Sequence, residues 1–85
     1  FTASENIIVY PNPAEDLIYI NLGKHQYENA FITVKNYLGE DLISLKNREN
    51  FDVISLDISE IPDGVYFIKS KMQSQQLVNK LVINK

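Results

Sequence analysis

Ile54-Ser55-Leu56-Asp57-Ile58, then after three residues Pro62-Asp63-Gly64, then Val65-Tyr66-Phe67-Ile68: this stretch encodes two strands and the turn between them. Alternation of apolar and polar residues from 54 to 58 sends Ile54, Leu56 and Ile58 to one side and Ser55 and Asp57 to the other, the pattern of a half-buried strand. Pro62 presets the backbone at the second position of a turn, Asp63 is placed to cap local amides, and Gly64 tolerates the exit geometry. The β-branched and aromatic run that follows prefers a pleated surface.

The same period of two recurs on both sides. In 17–22, Ile18, Ile20 and Leu22 share a face opposite Tyr19 and Asn21; in 31–35, Ile32 and Val34 oppose Thr33 and Lys35. Residues 7–10, 41–46 and 77–83 have strand composition, which with 65–71 brings the expected strands to about seven. Pro11-Asn12-Pro13 ends the first strand because proline lacks an amide donor and restricts the residue before it. Tyr37-Leu38-Gly39-Glu40 supplies a glycine for a hairpin. The polar links 46–50 and 73–76 complete the punctuation, and no segment keeps a helical period. Short strands at this spacing predict an all-β, antiparallel β-sandwich.

Eighty-five residues with 45% apolar and 22% charged content suffice for one folded domain and leave little room for a substrate-sized cavity. Cysteine is absent, which removes disulfides, thiolate metal sites and a cysteine nucleophile. The longest apolar runs are four residues, far short of the roughly 20 of a membrane-spanning helix. Charge is split: residues 1–63 carry all 11 acids against 4 bases, whereas residues 64–85 carry 4 lysines and no acid. The overall balance of −3, without a basic stripe interleaved with aromatics, argues against nucleic acid. Lysines on late strands also serve to discourage edge-to-edge pairing.

Catalytic chemistry finds no scaffold. His25, the only histidine, sits in a polar link without a partner for general-base work. Ser44, Ser55, Ser59, Ser70 and Ser74 lack a strand-to-helix elbow. The acids of 57–63 do not have the spacing of an EF-hand, and acidic turn residues ordinarily cap amides; Asp16 is expected to do so ahead of the second strand. No catalytic residue, cofactor or metal ligand is therefore assigned. Tyr19, Tyr27 and Tyr37, with Phe31 and Phe51, offer a second reading as a glycan- or protein-binding accessory module of a secreted enzyme, if they share a face.

Taken in order, Val9-Tyr10-Pro11-Asn12-Pro13-Ala14, Leu38-Gly39, Leu56-Asp57-Ile58-Ser59, Ile61-Pro62-Asp63-Gly64-Val65-Tyr66-Phe67-Ile68 and Lys80-Leu81-Val82 resemble the C-terminal sorting domain of the type-IX (Por) secretion system of Bacteroidota. The resemblance spans residues 7–85. It implies an immunoglobulin-like sandwich that is the last domain of an exported protein, with residues 1–6 as the remnant of a linker from an upstream passenger. It further implies that the domain directs the passenger from the periplasm through the outer-membrane translocon to the cell surface or medium, and that a sortase-like cysteine peptidase then removes it.

The family motif positions carry over to Pro11, Asn12 and Pro13, to Gly39, to Gly64 and Tyr66, and to Lys80. For Tyr66 the expectation is a packed strand aromatic whose hydroxyl finds a partner. A receptor face is expected at Lys69, Lys71, Lys80 and Lys85 with the terminal strand, by charge or by strand addition.

Overall fold

The computed structural model describes residues 7–22, 30–47, 52–72 and 75–85. Seven strands follow one another: β1 (Ile8–Tyr10), β2 (Leu17–Asn21), β3 (Phe31–Lys35), β4 (Asp41–Lys46), β5 (Val53–Asp57), β6 (Gly64–Met72) and β7 (Gln75–Ile83). Among the described residues the strands pair antiparallel with one another, forming a three-stranded sheet in the order β1-β2-β5 and a four-stranded sheet in the order β4-β3-β6-β7, and an isolated parallel bridge joins Ala14 to Ile83 of β7. This is an all-β sandwich with immunoglobulin-like order, as the resemblance implies.

The core lies between the sheets and is built by the alternation seen in the sequence. Ile18 and Ile20 of β2 meet Ile32 and Val34 of β3 in the core, with Ile68, Leu81 and Ile83 extending the inner face of the β3 sheet, all at most 1% exposed. Burying such a side chain contributes about 2 kcal/mol. Thr33 departs from the simple pattern: it points away from the core yet is buried, because Ser44 and Lys69 flank it across the sheet.

Two sides of the sandwich differ. Along one, β1 runs beside β7, and the Asn79 side chain donates to the Ile7 carbonyl at 3.0 Å. Along the other, the edges are β4 and β5. On β4 the register shifts so that Leu42 is inserted between the partners of Val34 and Lys35, a bulge that breaks the regular ladder of an exposed edge.

Candidate functional site: the motif turns and the lysine-bearing sheet

The Pro11-Asn12-Pro13-Ala14 segment seals the outer edge of the terminal strand. Both X-Pro bonds, Tyr10-Pro11 and Asn12-Pro13, are cis. The Asn12 side-chain amide donates to the Lys80 carbonyl and its oxygen accepts from the Val82 amide, each at 3.0 Å. One residue pair further on, the Ala14 amide donates to the Val82 carbonyl at 2.7 Å and its carbonyl accepts from the Asn84 amide at 2.8 Å. A carboxamide has the same donor and acceptor as a peptide unit, so Asn12 and Ala14 together stand in for a neighbouring strand. The edge of β7 at residues 80–84 is therefore already paired, and strand addition by a partner is blocked there.

The other motif pieces meet at one end of the sandwich. Asn36, which the sequence reading passed over, organises the β3–β4 hairpin: its side-chain oxygen accepts from the Leu38 and Glu40 amides at 2.9 and 3.0 Å, and its carbonyl accepts from the Gly39 amide at 3.0 Å. Asn at the first turn position with Gly three residues later was the available signal. Gly39 has φ +85°, where a side chain is strained. Tyr66 is buried, as expected, and its hydroxyl donates to the Pro62 carbonyl at 2.6 Å, tying β6 to the turn before it. Between the two turns runs an apolar groove of about 480 Å³, lined by Tyr37, Leu42, Pro62, Val65 and Tyr66.

Asp63 does not cap a local amide; its carboxylate accepts from the Lys85 amide at 3.0 Å, while Lys85 Nζ donates to the Ser59 carbonyl at 2.7 Å. Asp57 accepts from the Ser59 amide at 2.9 Å. That hydrogen bond, then one from the Ser59 hydroxyl, and to a lesser extent the nearby Lys85 charge, hold the Asp57 carboxyl below the usual carboxylate range. For Asp16 it is the main-chain carbonyl that acts, accepting from the Ile58 amide at 2.8 Å. Among the described residues no group of three or more His, Cys, Asp or Glu is placed to hold a metal ion.

The outer face of the four-stranded sheet gathers lysines from four strands. Register sets three cross-strand rows: Asp41, Lys35, Phe67 and Lys80; Ser44, Thr33, Lys69 and Val78; Lys46, Phe31, Lys71 and Gln76. Lys69, Lys71 and Lys80 thus share a face, whereas Lys85 lies at the β5–β6 turn beside Ser59 and Asp63. The outer face of the three-stranded sheet is apolar. Tyr10 and Tyr19 stack there with ring centroids 5.5 Å apart, flanked by exposed Ile8, Leu17 and Val53.

The aromatics named for a binding platform are not brought together. Tyr19 belongs to one sheet face, Phe31 to the other and Tyr37 to the β3–β4 turn. Tyr27, Phe51 and His25 lie outside the described residues. No helix among the described residues is long and apolar enough to cross a membrane.

No curated protein matches the chain. The family model described as the secretion system C-terminal sorting domain matches residues 8–84, from the first strand to the residue after the last, and so takes in the sealed edge, both motif turns and the lysine rows. The chain belongs to the C-terminal sorting domain family of the type IX secretion system.

Proposed function

We propose that this domain is the address of an exported protein. Residues 7–85 form the sorting domain and residues 1–6 a remnant of the linker to the passenger. The domain directs that passenger from the periplasm through the type-IX outer-membrane translocon to the cell surface or medium, where a sortase-like cysteine peptidase cleaves it off. The domain is non-catalytic; bond cleavage belongs to the peptidase. The observation that carries this reading is the family match across residues 8–84.

The motif residues act by fixing shape. Pro11, Asn12 and Pro13 hold the edge of β7, Gly39 permits the hairpin, and Gly64 and Tyr66 hold the β5–β6 turn. Lys69, Lys71 and Lys80 supply the charge of the surface that the domain presents at the outer membrane, while Lys85 ties the chain beyond β7 to the β5–β6 turn.

The test is a reporter fused to residues 1–85 in a type-IX-competent bacterium. The fusion is expected in the medium or on the surface, and a reporter without the domain in the periplasm. Equal export of both would overturn the reading. Unchanged export with weakened attachment to a substrate would instead identify an accessory binding module. In the same assay, Lys→Gln at 69, 71, 80 and 85 together is expected to strand the fusion in the periplasm, and normal export of a folded variant removes the lysines from the signal.

A further inference from the structure

Five of the chain's seven lysines, Lys35, Lys46, Lys69, Lys71 and Lys80, project from one sheet face, although their sequence positions span 46 residues and only the strand register unites them. On each strand they alternate with core residues, so Lys69 and Lys71, in successive rows, lie about 7 Å apart along β6, while neighbours within a row stand on strands about 4.8 Å apart. The one acid in the three rows, Asp41, is at the β4 edge and is ion-paired to Lys35. Among the described strand residues of the opposite outer face none is a lysine and only Asp57 is charged. A chain of net charge −3 thus presents a local positive plane.

The composition of that plane selects its partner. Among the described residues its cations are all lysines. Arginine, with its rigid fork of donors, is enriched where proteins recognise one another, and lysine is depleted there. Lysine is a hydrated point charge on a flexible stem, suited to many dispersed anions whose positions are not fixed. Phe31, 43% exposed, and Phe67, half-buried, stand among the lysines and give the plane an apolar component. A level array of lysines around aromatic rings matches the headgroup zone of an anionic leaflet, which attracts nearby basic residues and accepts apolar side chains at its boundary.

We propose that the β4-β3-β6-β7 face docks on anionic phospholipid headgroups, with Lys35, Lys46, Lys69, Lys71 and Lys80 as contacts and Phe31 as the shallow apolar anchor. This deepens the sorting-domain reading by naming the partner of its charged surface, and it rests on that reading only for the membrane at which docking occurs. Docking leaves the outer face of the three-stranded sheet turned away from lipid.

The experiment measures sedimentation of the purified 85-residue chain with vesicles of phosphatidylglycerol and phosphatidylcholine, with pure phosphatidylcholine vesicles, and with soluble polyglutamate as competitor. Binding is expected to the mixed vesicles only, and to fall steeply between about 50 and 200 mM salt as screening shortens. Each face lysine replaced by glutamine is expected to weaken binding about fivefold, so K69Q/K71Q/K80Q loses about 100-fold. K69R/K71R/K80R retains binding, which separates loss of charge from loss of fold, and K85Q, off the face, changes it less than twofold.

Equal binding to both vesicle types, an equal effect of K69Q and K85Q, or capture by polyglutamate without vesicle binding would overturn the proposal, the last in favour of an acidic protein. Vesicle binding needs no export machinery, so its failure is distinct from failure of the reporter fusion to be secreted.

Discussion

Tyr66 and Asp57 show how single polar groups hold the β5–β6 turn. The Tyr66 ring is packed in the core while its hydroxyl reaches the Pro62 carbonyl, so Tyr66→Phe removes one hydrogen bond and little volume. A loss of about 1 kcal/mol is expected, seen as a melting temperature lower by roughly 4–8 °C for a domain of this size. An unchanged melting temperature would mean that the carbonyl is satisfied equally well by water. For Asp57 the sign follows from its depressed carboxyl, which binds a proton less readily in the folded than in the unfolded chain. Its contribution is present above the ordinary carboxylate range, near pH 4, and is lost as pH falls through the lower folded value. Asp57→Asn should therefore flatten the acid side of a stability-against-pH curve measured by urea denaturation, and parallel curves for the two proteins would refute the assignment. Tyr66 was legible in the sequence, since a buried phenol needs a partner. Asp63 was not: a Pro-Asp-Gly turn suggests a local cap, whereas its actual donor is the amide of Lys85, 22 residues on.

At the scale of elements, period-two alternation identified β2, β3 and β5, whose inward residues Ile18, Ile20, Ile54 and Leu56 obey it closely, and β-branched and aromatic composition identified the other four strands. What alternation leaves open is lateral order. Nothing local to Asn12 says that its amide pairs with a strand 68 to 70 residues away, nor that Lys46 and Lys80 belong to the same face. The sealing of β7 has a residue-resolved signature. In Asn12→Ala the Val82 amide loses its acceptor, while the Asn84 amide keeps the Ala14 carbonyl. Hydrogen exchange is expected to speed up at Val82 and to remain slow at Asn84, with a stability cost of about 1–2 kcal/mol for the two lost bonds. Equal acceleration at both sites would mean that the whole segment detaches and that Asn12 holds it in place.

For the molecule as a whole, the family could be read from ordered turn motifs and Lys69, Lys71 and Lys80 from the acid-free tail, whereas their junction with Lys35 and Lys46 could not, because register between distant strands creates it. The same long-range pairing makes the domain depend on its last strand. Leu81 and Ile83 are both at most 1% exposed, and the partners of Asn12 and Ala14 all lie in residues 80–84. Removing residues 80–85 deletes two core side chains worth about 2–5 kcal/mol each together with the edge bonds, against a total stability of about 5–15 kcal/mol. The shortened chain is expected to show no cooperative thermal transition by circular dichroism, and a retained sharp transition would show that β7 is dispensable.

The Asn12–Val82 contact closes a span of 70 residues, and chains whose stabilising contacts are distant in sequence collect their reward late and fold slowly. A ribosome releases Asn12 long before Val82. Until the final strand has emerged, the first has no edge to lie against, so the sandwich closes only after synthesis has passed residue 84, and a nascent chain stalled earlier remains open to chaperones and proteases.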